Sequence, residues 1–184
     1  LRRAEFAKKK VITIKHDIDN RKSCSCIVSH DGAVREAFPI GSCEEGVKKL
    51  IKLIDPAVDV IGIDEIQFFP DQTVSIIQLL VDHGKRLILA GLDMDFRGEP
   101  FGIVPTLMAL ADEVVKSRAI CMVCGEEANF TQRLINGEPA RYDDPTILVG
   151  GAECYEARCR SCYKIDKKDY RDTLIPESPL FNAV

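Results

Sequence analysis

Four of the cysteines stand as two C-x-x-C pairs, Cys121/Cys124 and Cys159/Cys162, with residues 125–158 between them. Two thiols three positions apart grip one ion from a tight knuckle, and two knuckles complete a closed tetrahedral zinc site. The interval is longer than that of a compact ribbon, so the metal is expected to tie off a long loop. Four thiolates leave no open position for substrate, so the site is read as structural. Two redox pairs, or ordinary thiols, are the alternative. Cys154 falls outside both knuckles and is not read as a ligand, while Cys24, Cys26 and Cys43 are read as small buried residues. Leu1-Arg2-Arg3-Ala4-Glu5 runs on to Lys8-Lys9-Lys10 with no apolar stretch between. Nothing there suggests secretion, so a reducing, cytoplasmic setting is expected.

The knuckles divide the 184 residues. Residues 1–120 are read as an α/β core, 121–170 as a separate zinc-binding domain, and 171–184, with Pro176 and Pro179, as a mobile tail. In the core, apolar runs suited to strands buried on both faces alternate with helical periodicities. Val11 to Ile14, Val58 to Ile63, Arg86 to Leu92 and Glu113 to Ile120 read as strands. Cys24 to His30 and Ala33 to Ile40 read as a hairpin about Asp31-Gly32. Ser42 and Glu45 form a capping box for a helix whose inward face is Val47, Leu50, Ile51 and Ile54. A second helix follows Pro70-Asp71, carries Val74, Ile77, Leu80 and Val81, and closes at Gly84. A third lies within Gly102 to Ala111, starting near Pro105. The alternation implies a parallel sheet with right-handed crossovers and a ligand site outside the C-terminal strand ends. The net charge of −4 argues against a nucleic-acid partner, and no apolar run is long enough for a membrane span.

Three stretches carry candidate chemistry. The run Val60-Ile61-Gly62-Ile63-Asp64-Glu65 is an apolar strand ending in two acids. In that arrangement the Asp holds magnesium and its neighbour accepts a proton; the alternative is a sheet edge meeting solvent. Phe68 and Phe69 follow at once and suit the wall of an aromatic pocket, unless they simply cover the sheet end. The loop Leu92-Asp93-Met94-Asp95-Phe96-Arg97-Gly98-Glu99-Pro100-Phe101-Gly102 lies at the same edge. An arginine there could face phosphate, or the loop could tuck its aromatics inward. Thr146-Ile147-Leu148-Val149-Gly150-Gly151 is an extended run whose glycines expose main-chain groups to the edge of a base, or else a strand of the zinc lobe. His16, His30 and His83 have no metal or catalytic spacing.

In this order, Asp64-Glu65-Ile66-Gln67-Phe68-Phe69, Phe96 to Gly102, Gly150-Gly151-Ala152 with Tyr155, and the two knuckles resemble the cellular-type, zinc-containing thymidine kinases. The resemblance implies a RecA-like P-loop core with a parallel sheet, plus a small zinc-ribbon/lasso domain. It implies ATP-dependent phosphorylation of the 5′-hydroxyl of thymidine and deoxyuridine, for nucleoside salvage and DNA synthesis. Glu65 is then the catalytic base. Asp19, Asn20, Arg21, Asp64, Ile66 and Gln67, with Glu65, meet ATP and magnesium. Phe68, Leu92, Phe96, Phe101 and Tyr155 enclose the nucleoside, Thr131 and Arg133 line the pocket, and Thr146, Ile147, Leu148, Val149 and Gly150 read the pyrimidine through the main chain. Zinc on Cys121, Cys124, Cys159 and Cys162, feedback by thymidine triphosphate, and a homotetramer complete the expectation. The family's G-x-x-x-x-G-K-[ST] loop is absent. Leu1-Arg2-Arg3 resembles the helix after that loop, so the first strand and loop are expected upstream; an inactive polypeptide is the other possibility. Two rivals from other classes are a nucleic-acid-stimulated ATPase and a non-catalytic zinc-ribbon adaptor.

Overall fold

The computed structural model describes residues 1–18, 26–28, 32, 34–147 and 153–165. The chain forms two compact units, Leu1–Asp95 with Pro100–Val115, and Phe96–Glu99 with Lys116–Val184.

The first unit runs α1 (Arg2–Phe6), β1 (Val11–His16), β2 (Cys26–Val28), β3 (Val34–Glu36), β4 (Phe38–Ile40), α2 (Glu44–Leu53), β5 (Val60–Asp64), α3 (Gln72–Asp82), β6 (Arg86–Leu89) and α4 (Val104–Leu110). Its main sheet has the order β4-β1-β5-β6, and every neighbouring pair is parallel. The mixed α/β architecture with a parallel sheet is therefore as expected. Ile14, Ile61 and Ile63 of the sheet pack with Leu50 of α2, Ile77 of α3 and Leu107 of α4. Burying a side chain such as Leu50 stabilises by roughly 1.5–3 kcal/mol.

Several local expectations are corrected. The segment after Gly32 is not one strand. Val34–Glu36 pairs antiparallel with β2, but Ala37 is buried at a break and Phe38–Ile40 joins β1 in the parallel sheet. The capping box does not form: Cys43 is the N-cap residue, without a side-chain cap, and the Ser42 hydroxyl is engaged elsewhere. Glu44 and Glu45 in the first turn and Lys52 in the last complement the helix dipole instead. Ile51, placed on an inward face, is 55% exposed. Only Ala119–Ile120 of the expected strand Glu113–Ile120 is a strand, and Val115 is 77% exposed. Val114 and Val115 belong to no strand, whereas Ile120 pairs with Glu127 of the second unit's ribbon, and strand formation depends on such a partner more than on propensity. Gly84, at φ 75°, does close α3, and Pro105 sits in the first turn of α4.

The second unit holds β7 (Ala119–Ile120), β8 (Glu127–Ala128), β9 (Phe130–Ile135), β10 (Glu138–Pro139) and β11 (Glu153–Arg158). β7 and β8 form one antiparallel ribbon, and β10-β9-β11 form an antiparallel sheet. The expected tail, 171–184, lies outside the described residues. No helix among the described residues is long and apolar enough to cross a membrane.

Candidate active site and metal centre

The chain turns sharply where β5 ends. Glu65 takes φ 54° and ψ 41°, a left-handed conformation that a side-chain-bearing residue rarely adopts. Its N–H donates to Asp64 Oδ1 at 3.0 Å, and the next N–H, of Ile66, donates to Ala90 O at 3.0 Å. The turn brings the Glu65 carboxylate to Gln67, whose Nε2 donates to Glu65 Oε2 at 2.6 Å. Gln67 is itself buried, and its Oε1 accepts from Leu92 N–H at 3.2 Å. Two glycines make room for it. A Cβ on Gly102, which has φ 52°, would lie 2.2 Å from Gln67 O, and one on Gly91 would lie 2.5 Å from Gln67 Oε1. Gln67 thus links the strand-end acid to the loop at Leu92. Ile66, expected near the nucleotide, places its side chain in the core.

Beside this turn, Asp64 lines a cavity of about 320 Å³ with Thr13, Ile27, Gly62 and Ala90. Lys15, only 2% exposed, lies directly across from Asp64 in the parallel register of β1 and β5. Phe68 packs edge-on against Phe101, with ring centroids 5.4 Å apart, while Phe69 is in the core. His16, buried at the end of β1, touches both Phe68 and Phe69. Its Nδ1 accepts from Ile18 N–H at 3.1 Å, so in the neutral ring Nε2 carries the proton and donates to Ser42 Oγ at 2.6 Å. Ser42 in turn donates to Phe68 O at 3.2 Å. Asp17 Oδ1 stands 3.4 Å from Nδ1, a contact that becomes an ion pair only on protonation. Burial holds the His16 pKa below its ordinary value, against the pull of Asp17 and Glu65.

In the second unit the sulfurs of Cys121, Cys124, Cys159 and Cys162 all lie within 4.8 Å of one another. Zinc–sulfur bonds of ~2.3 Å in a tetrahedron set the sulfurs ~3.8 Å apart, and Cys124 and Cys159 are 3.6 Å apart. The donor set fits a closed zinc site. The short antiparallel ribbon of β7 and β8 carries the first knuckle, and β11 leads into the second. Burial pushes the Cys121 thiol up, but hydrogen bonds from the main chain at Cys159, Cys124 and Val123 bring it down to about 6. Cys162 is pushed up to about 12, first by the Cys159 and Cys124 side chains and then by burial. The main chain at Glu126 lowers Cys124, yet the Cys159 and Cys121 side chains raise it overall. One thiolate formed in so tight a group opposes the next, an opposition that a divalent cation removes. Cys154 is exposed and outside the cluster, as expected; Cys43 is exposed, against expectation, and Cys26 is half-buried.

The loop tip Phe96–Glu99 belongs to this second unit. Arg97 does not stand open for phosphate. Its Nε donates to Tyr142 O at 2.7 Å, Nη2 to Asp144 O at 2.6 Å and Nη1 to Thr146 Oγ1 at 2.7 Å. Arg133 Nη1 donates to Pro145 O at 2.6 Å. Phe96 is buried, with the Arg97 and Arg133 guanidinium carbons 5.0 and 4.9 Å from its ring centroid. Thr131 and Arg133 share one face of β9, and Tyr155, half-exposed, lies directly across from Arg133. Asp19, Asn20, Arg21, Leu148, Val149 and Gly150 lie outside the described residues.

The thymidine kinase family model matches residues 1–163. A curated thymidine kinase of Coprothermobacter proteolyticus is 55% identical over 168 residues, covering 91% of this chain and 82% of that protein. The chain belongs to the thymidine kinase family. Within this thymidine kinase fold, sequence reasoning missed Lys15, His16, Ser42, Tyr142 and Tyr163. Lys15 and His16 end a strand read only for its apolar half, and that polar ending was the available signal. Ser42 was assigned to a cap. Tyr142 and Tyr163 have no local pattern. The Tyr142 hydroxyl meets the Glu99 carboxylate, and the Tyr163 hydroxyl donates to Phe96 O at 2.6 Å.

Proposed function

We propose that this protein transfers the γ-phosphoryl group of ATP to the 5′-hydroxyl of thymidine and deoxyuridine, in nucleoside salvage. The observation that carries the reading is the Glu65 carboxylate. It sits in a left-handed turn at the C-terminal end of a parallel strand, its Oε2 held by Gln67 at 2.6 Å. Glu65 takes the hydroxyl proton as the oxygen attacks the γ-phosphorus in line. The bond to the β,γ-bridging oxygen breaks, leaving ADP and the nucleoside monophosphate. Asp64 offers a hard oxygen donor suited to magnesium. Magnesium bound with ATP supplies neutralising charge for the moving phosphoryl group.

Asp19, Asn20, Arg21 and the 64–67 segment are assigned to the nucleotide. Phe68, Leu92, Phe96, Phe101, Thr131, Arg133 and Tyr155 are assigned to the nucleoside, and the main chain of 146–150 to the pyrimidine edge. Zinc on the four clustered cysteines has a structural role. A homotetramer, a cytoplasmic setting and feedback by thymidine triphosphate belong to the same reading and rest on family membership.

The test is a phosphate-transfer assay on thymidine, deoxyuridine, deoxycytidine and deoxyguanosine. Thymine and uracil share the edge that the main chain reads, whereas cytosine inverts a donor and an acceptor and leaves buried groups mispaired. Its kcat/KM should fall by at least about 10²-fold. Comparable kcat/KM for deoxyguanosine and thymidine overturns the reading.

A further inference from the structure

Residues 141–146 form no strand or helix, yet their polar groups are tied down. Asp144 Oδ2 accepts from the Arg141 N–H at 2.8 Å, which shapes the turn from within. The carbonyls of Tyr142, Asp144 and Pro145 and the hydroxyl of Thr146 then accept from two arginines, Arg97 on the loop tip and Arg133 on β9. Arg133 is fully buried. Both guanidinium groups stand about one ring-stacking distance from Phe96, and Arg97 lies 5.5 Å from the Tyr142 ring as well. The tip is fastened in turn: Tyr163, next after the last zinc-knuckle cysteine, donates to Phe96 O at 2.6 Å. Three nitrogens of one planar group reach three acceptors on one turn. A lysine ammonium, with its donors on a single nitrogen, does not reproduce that span.

We propose that Arg97, backed by Arg133, is a positioning residue for nucleoside recognition. The two guanidinium groups hold Tyr142, Asp144, Pro145 and Thr146, and so fix the position of Thr146, the first residue assigned to the pyrimidine edge. Arg97 acts on the base-reading end of the reaction and has no part in holding phosphate. The inference rests on the reading that the main chain of 146–150 meets the base. It adds what holds Thr146, where that segment begins.

Arg97→Lys, Arg97→Met and Thr146→Val test it in thymidine titration, steady-state kinetics with ATP varied, and zinc analysis. Loss of charge-assisted hydrogen bonds should weaken thymidine binding at least about tenfold in both Arg97 variants. Lysine should not rescue. The KM for ATP and zinc per chain should stay within about twofold of wild type. Thr146→Val removes one acceptor while keeping the β-branched shape, and should weaken thymidine in the same direction by less. Wild-type thymidine affinity in Arg97→Met overturns the proposal. So does a parallel loss of thymidine, ATP and zinc binding in Arg97→Lys, which is the mark of a merely structural arginine. If the Arg97 variants do not fold, Thr146→Val decides, and unchanged thymidine affinity there overturns it. Gly150→Val reports on the parent reading by itself. Wild-type thymidine affinity in that variant sinks the base-reading segment and this inference with it. Weak binding there beside wild-type binding in Arg97→Met sinks this inference alone.

Discussion

Glu65 is held in a backbone conformation that normally costs a non-glycine residue of order 1–3 kcal/mol. Strain of that kind persists where neighbours over-determine it, and here they do. Asp64 takes the Glu65 N–H, Ala90 takes the Ile66 N–H, and Gln67 takes the carboxylate. If Glu65 is the base, Glu65→Gln should keep thymidine binding while kcat falls about 10²-fold or more. Gln67→Leu should leave Glu65 present without its bond from Gln67. A misplaced catalytic group loses up to about 10²-fold in rate, so kcat should fall while thymidine affinity from direct titration holds. If Gln67→Leu instead raises the KM for ATP with kcat unchanged, Gln67 serves the nucleotide and not the base. The adjacent acids at 64 and 65 were legible because they end an apolar run. The Gln67 bridge was not, because it depends on a left-handed turn and on two glycines far along the chain.

At the scale of the element, the end of β1 repays the same reading. Its register with β4 and β5 puts His16 beside Ile40 and under Phe68 and Phe69. The ring, Ser42 and the Phe68 carbonyl then form a short polar relay that fastens the aromatic turn to the sheet. The folded His16 pKa is below the ordinary 6.5 because burial disfavours the cation. The unfolded chain therefore binds the proton more readily, and the sign follows. This contribution to stability is fully present above about pH 6.5 and is lost as pH falls through the lower folded value. Thermal melts should show wild type losing more stability than His16→Gln between about pH 7.5 and about pH 5.5. Parallel losses in the two proteins exclude His16 as the cause. The helix after Ser42 was legible from its periodicity, but its cap was not. A serine hydroxyl can serve its own helix or a distant histidine, and only the sheet register brings His16 within reach.

At the scale of the whole molecule, each unit has its own means of cohesion. The first has an apolar cluster spanning sheet and helices, whereas the second has a small cluster centred on Cys121, Ala128 and Cys159. One zinc per chain should be found by metal analysis, lost in Cys162→Ser and retained in full in Cys154→Ser. Chelation should raise hydrogen exchange across β7 to β11 while β1, β5 and β6 keep their protection. Equal loss of protection in both units would mean that the metal supports the entire fold.

The residues that fix chemistry by local spacing could be named from the chain alone. Two cysteines three apart, an apolar run ending in two acids, and the helical spacing of Val47 with Leu50 and of Val74 with Ile77 are short-range patterns, and each physical reason acts over a few residues. Family membership was legible from the same motifs in order. Tertiary structure decided which partner each polar side chain takes. Ser42 leaves its helix for His16, Gln67 leaves solvent for Glu65, and Arg97 turns to the carbonyls of residues 142–146. It also decided that Phe38–Ile40 crosses into the parallel sheet while Val114 and Val115 stay outside any strand. A side chain's chemistry is local, but its partner need not be: His16 lies far along the chain from Ser42, as Tyr142 does from Arg97, and Gln67 meets Glu65 only through a left-handed turn. Burial makes leaving such a group unmatched costly enough to override local preference.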